Sequence, residues 1–149
     1  LSLLLDVNVL VALAWPNHVH HEAAHRWFAQ VRRSKAGWAT CPLTQSGFVR
    51  VSSNPGIVPE ARSPVEAILL LERIVSLPGH RFWRDEVSIV ASRHVARAKL
   101  VGHRQIADAH LLAVALAHRG SLATFDGGVA ELVPDAVKAA SAVHVIPAP

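Results

Sequence analysis

The chain has 149 residues, 51% of them hydrophobic, with a mean hydropathy of +0.29, enough apolar mass for one compact domain over residues 1–149. Lysine and arginine outnumber aspartate and glutamate by 15 to 11 and ten histidines add pH-dependent positive charge, a balance that tolerates a polyanion, although no basic tract dominates. The apolar opening Leu1 to Trp15 is broken by Asp6 and Asn8, is too short to span a bilayer and lacks a basic leader; with Cys41 as the lone cysteine, the expectation is a cytoplasmic protein with no membrane partner.

Leu3 to Leu5 read as a short buried strand that ends at Asp6-Val7-Asn8 and passes directly into a helix over Val9 to Ala14. Pro16 and Asn17 interrupt, and His20 to Arg33 resumes at helical spacing with Ala23, Ala24, Trp27, Phe28 and Val31 on one face. Gly37 to Thr40 is a second strand. Pro42 suits a first helical position for a helix from Leu43 to Val51, stopped by Ser52-Ser53-Asn54-Pro55-Gly56. Ser63, Pro64 and Glu66 form a helix start, with Ser63 as cap, and that helix is expected to run to about Ser76. His80 to Trp83 is a third strand, and Ser88 to Lys99 has helical character. Ile106 to His118 is the clearest helix, with Gly120 placed to terminate it. Leu122 to Phe125 and Val143 to Ile146 supply the last two strands.

Short apolar strands alternating with helices predict an α/β fold, a three-layer α/β/α sandwich around a mainly parallel sheet. Ligands of such sheets bind beyond the carboxyl ends of the strands. Asp6 follows the first strand and Asp126 a late one, and Asp108 near the start of the long helix can point into the same crevice. Carboxylates brought together repel unless they share a proton or a cation, and an all-oxygen donor set suits Mg²⁺ or Mn²⁺. Such an ion can activate water against a phosphodiester. Singly, each aspartate has a structural role open to it: Asp6 as a helix cap, Asp108 as a favourable charge at a helix N-terminus, Asp126 as a turn former before Gly127 and Gly128.

The segments LLLDVNVL, TQSGFVRVSSNP, PGHRFWRDEVS, IADAHLLAVAL and LATFDGGV, in this order, resemble the PIN-domain family, specifically VapC-type toxins of bacterial toxin–antitoxin pairs. The resemblance covers nearly the whole chain and implies a Mg²⁺-dependent endoribonuclease acting on RNA such as tRNA or rRNA, neutralised by a cognate VapB-like antitoxin and usually homodimeric. It makes Asp6, Asp108 and Asp126 the metal ligands and catalytic residues, with Asn8 and Thr124 as polar supports beside them. The departure is Gln45, where relatives commonly carry glutamate. A glutamine accepts a hydrogen bond but brings no charge and cannot act as a base. Either three aspartates suffice, with Gln45 as a supporting residue, or Asp85 or Glu86 supplies a further carboxylate, Asp85 being the better placed. Gln45 also keeps open a catalytically impaired PIN fold that only binds RNA or antitoxin. A nucleotide-binding α/β domain is disfavoured, because no glycine-rich phosphate loop follows the first strand.

His18, His20, His21 and His25 invite a zinc reading, since His21 and His25 are four apart on one helix face, but no nearby cysteine or second spaced pair completes a tetrahedral set. Trp15, Trp27, Trp38 and Trp83 read as core or interface residues instead of base-stacking platforms. Arg50, five positions after Gln45, is expected to reach the aspartate crevice and either pair with a phosphate or neutralise a carboxylate, and Arg93, Arg97, Lys99 and Arg104 to extend an RNA track.

Overall fold

The computed structural model describes residues 1–148. The strands are β1 (Leu3–Leu5), β2 (Trp38–Thr40), β3 (His80–Phe82), β4 (Ser121–Thr124) and β5 (Val143–Val145), joined in one parallel sheet in the order β3-β2-β1-β4-β5. The helices are α1 (Val7–Ala14), α2 (His21–Val31), α3 (Pro42–Ser52), α4 (Pro64–Val75), α5 (Ile106–Ala117) and α6 (Ala139–Ala142), with short 3₁₀ turns between. Strand neighbours alternate between two cores, as a pleat with a period of two requires. Leu5, Trp38 and Ala123 face α1 to α4, whereas Leu4, Ala39 and Leu122 face α5, α6 and Trp83. This is the three-layer sandwich expected from the sequence.

The local signals that set these elements are visible at their ends. Ser63 accepts from the Glu66 amide at 3.2 Å and Pro64 occupies the first turn of α4, so the predicted start is the real one. At α3, Pro42 is again the first helical residue, and Thr44 Oγ1 accepts from the Cys41 amide at 2.9 Å. The end of α5 is built differently from expectation. Arg119, not Gly120, takes the left-handed conformation (φ 57°), while the amides of Arg119 and Gly120 donate back to Leu116 and Ala115. Gly120 serves close packing instead, since a Cβ there would fall 2.6 Å from the Ser2 carbonyl oxygen and from the Trp83 ring.

The helix expected over Ser88 to Lys99 is absent. That segment is irregular except for a 3₁₀ turn at Arg97–Lys99; Val95 is buried, but Val90 is 73% exposed and Ile89 is exposed. Without a continuous apolar stripe to bury, a short helix has little to hold it together. All four tryptophans are buried; Trp15 Nε1 donates to Ser52 Oγ and Trp38 Nε1 to the Pro78 carbonyl.

Candidate active site

The chain leaves β1 and runs outward through β2 and β3, then returns to the other side of β1 as β4. The strand order therefore reverses between β1 and β4, where a parallel sheet opens a crevice at its carboxyl edge. Asp6 stands directly after β1 and Asp126 two residues after β4. The amide of Asp6 donates to the Ala123 carbonyl at 2.9 Å, which fixes both chain exits side by side.

Asp6 is buried, 6% exposed, and caps α1: its Oδ1 accepts from the Val7 amide at 2.7 Å and its Oδ2 from Thr124 Oγ1 at 2.7 Å. Thr124, fully buried, uses its whole hydrogen-bonding capacity. Its hydroxyl donates to Asp6 and accepts from Asn8 Nδ2 (3.1 Å) and the Asp126 amide (3.1 Å). Asn8 Oδ1 in turn accepts from the Phe125 amide at 3.2 Å. Asp126, exposed, accepts from the Gly128 amide through Oδ1 at 2.9 Å, the turn-forming role open to it in the sequence. Asp108 lies half-buried in the first turn of α5.

The three carboxylates act on one another. Burial, and then the charges of Asp6 and Asp126, push the Asp108 carboxyl up to about 6. Asp6 is also raised, chiefly by burial and also by Asp126, against the opposing hydrogen bonds of Thr124 and Val7. No lysine or arginine is among the causes of either shift. This uncompensated negative charge, with oxygens as the only donors, fits a hard divalent cation. Among the described residues, no three acidic, histidine or cysteine side chains are drawn close enough to enclose an ion unaided. An ion of the Mg²⁺ kind, which keeps several waters and shares substrate phosphate oxygens, is the one such an open donor set suits.

Other residues singled out in the sequence go elsewhere. Gln45 Nε2 donates to Thr40 Oγ1 at 3.0 Å, and that hydroxyl also meets His80 Nε2 at 2.7 Å. Asp85 is committed on both oxygens, to the Val87 amide at 3.0 Å and to His110 Nε2 at 2.7 Å, the latter a charge contact without hydrogen-bond alignment. It is not among the charges that shift Asp6 or Asp108, and Glu86 is exposed beside Arg84. His21 and His25 each bond a backbone carbonyl at 2.8 Å, of Ala12 and of Leu13. In the expected RNA track, Lys99 Nζ donates to the Val133 carbonyl and Arg97 to the Val90 carbonyl, so both tether their own loop; Arg93 and Arg104 are exposed.

Arg50 lines a cleft of about 400 Å³ that contains Asp6, Asn8 and Asp108 as well as apolar residues of α1, α3 and α5. His18, weighed in the sequence only as part of a zinc set, stands in the wall of this cleft.

The family model of the PIN domain matches residues 3–133. The Mycobacterium tuberculosis proteins named Ribonuclease VapC39 and Ribonuclease VapC38 are similar to this chain. VapC39 is 47% identical over 131 residues, 88% of this chain and 93% of that protein, and VapC38 is 48% identical over 126 residues, 85% of this chain and 86% of that protein. Among solved structures, FitAcB from Neisseria gonorrhoeae matches with a TM-score of 0.63 at 20% identity, covering 95% of this chain and 96% of that one. VapBC2 from Rickettsia felis, solved bound to a DNA fragment from its promoter, matches with a TM-score of 0.62 at 10% identity, covering 89% and 96%. At those identities the likeness speaks to the fold.

Proposed function

The chain belongs to the PIN-domain family, among the VapC-type ribonuclease toxins of toxin–antitoxin systems, and from that premise we propose that it cuts RNA phosphodiesters at the crevice between β1 and β4. The observation that carries this is the convergence of Asp6, Asp108 and Asp126, mutually repelling and without a basic counter-charge. Asp6, Asp108 and Asp126 would hold Mg²⁺, or Mn²⁺ through the same donors. Such an ion would supply a polarised water and charge neutralisation at the phosphate. Thr124 holds Asp6 in one orientation, and Asn8 holds Thr124 and the Phe125 backbone, so that little rearrangement is needed when substrate arrives. Gln45 is held against the end of β2 by its bond to Thr40, where it brings a carbonyl oxygen but no charge.

The substrate is cellular RNA, with tRNA or rRNA as the expected targets. A VapB-like antitoxin is the expected protein partner, and a cytoplasmic location follows from the reading; no helix among the described residues is long and apolar enough to cross a membrane. A homodimer is supported by Val65, Ile68 and Leu69, which form an exposed apolar stripe along α4.

The test is incubation of purified protein with total cellular RNA, with and without Mg²⁺, followed by mapping of new ends. Cation-dependent cleavage is expected, and Asp108→Asn is expected to lower it by about a hundredfold or more, beyond the loss typical of a residue that merely supports a metal ligand. A fully active Asp108→Asn protein would overturn the assignment.

A further inference from the structure

The cleft beside the carboxylates is more than an approach to them. Its walls are aliphatic, from Val11 on α1, Leu43 and Val51 on α3, Leu111 on α5 and Ile57 beyond α3, and Arg50 and His18 also line it. We propose that it is a subsite for one unstacked base of the RNA next to the scissile phosphate, and that its two donor side chains select guanine. This rests on the ribonuclease reading above and adds the base that the same site prefers.

The chemistry of the lining supports that occupant. A base has apolar faces and a polar edge, which suits aliphatic walls with a few polar groups among them. Arg50 is exposed and enters none of the ion pairs among the described residues, which join Arg62 to Glu66, Arg84 to Glu86 and His110 to Asp85.

The tautomer of His18 is set by its neighbour. The His20 amide donates to His18 Nδ1 at 3.0 Å, which leaves the ring proton of the neutral imidazole on Nε2 as a donor. Burial and the nearby His20 and His21 rings hold the His18 pKa below the usual histidine value, which favours that neutral form. The fork of Arg50 and His18 Nε2 together bring three N–H donors, which guanine can meet with N7 and the two lone pairs of O6. Guanine offers O6 and N7 side by side, the edge for which an arginine fork is the commonest partner, whereas adenine presents one acceptor beside an amino donor on the same edge. An apolar side chain from a protein partner would leave these donors unanswered.

The experiment uses pentanucleotide RNAs differing only at one base, titrated into the intact protein without divalent cation, with the methyl signals of Val11, Val51 and Ile57 followed by NMR. The guanine RNA is expected to bind about tenfold more tightly than the others, and Arg50→Ala and His18→Ala each to remove most of that preference. Val51→Phe, which fills the cleft, is expected to weaken all four and to displace the cut site when Mg²⁺ is restored. Equal binding of the four RNAs, preference unchanged in both donor variants, or methyl shifts that follow protein concentration instead of RNA would each overturn the proposal. Cleavage with no base preference overturns the subsite alone; guanine preference with no Mg²⁺-dependent cleavage overturns the ribonuclease reading and leaves the subsite standing.

Discussion

The hydroxyl of Thr124 is the point where three parts of the site meet, because it serves Asp6, Asn8 and the Asp126 amide at once. Replacing it by valine, nearly its shape, strands those partners in a buried place. Thr124→Val is expected to cost about 1–3 kcal/mol of stability and to weaken Mg²⁺ binding about 10–100-fold, while Thr124→Ser recovers most of both; denaturant titration and calorimetry read the two quantities. Asp108 carries a pH signature. Its carboxyl titrates at about 6 in the folded chain against 3.8 for the free group, so the folded state holds its proton over a range where the unfolded state has lost it. The contribution of Asp108 to the stability of the metal-free protein should therefore fall as pH rises from 3.8 to about 6 and level off above. Asp6 is shifted in the same direction, so Asp108→Asn should make that slope shallower without abolishing it. Added Mg²⁺ should reverse the trend, since it binds the ionised carboxylates. The aspartates were legible in the sequence because each sits where a strand ends or a helix begins. The fates of Gln45 and Asp85 were not, since their partners Thr40 and His110 are set by how α3 packs over β2 and α5 over the segment after β3.

Helices α1 and α3 approach each other through Gly47, where an added Cβ would lie 2.6 Å from Val7 Cγ2. Valine in a helix has essentially one rotamer and cannot swing clear. Gly47→Ala is expected to destabilise by about 1–3 kcal/mol, and Val7→Ala in the same chain to recover much of that, giving a clear coupling in a double-mutant cycle. Both residues line the cleft, so the pair also sets its width. At this scale all five strands and the long helices were readable from apolar runs, prolines and caps. The segment from Ser88 to Lys99 was not: its apolar residues are numerous enough to suggest a helix, but the face of the sheet they would cover is already occupied by α5 and Trp83. What orders that stretch is polar instead, through the turn at Asp85 and the tethers of Arg97 and Lys99.

Among the described residues, the molecule carries an aspartate crevice at one edge of its sheet and an exposed apolar stripe on α4, and the two can be tested apart. Leu69→Glu is expected to convert a particle of twice 16.0 kDa into one of 16.0 kDa by light scattering; a mass unchanged by the substitution would place any dimer contact elsewhere. The hydrogen bond from Thr124 to Asp6 joins residues 118 positions apart, and the strand that carries Asp6 lies between strands made early and strands made late. Pairings of such long range are slow to form and cannot form before both ends exist. On the ribosome, a nascent chain whose first three strands have been made still lacks Thr124 and Asp126, so the aspartate crevice can close only after β4 has emerged.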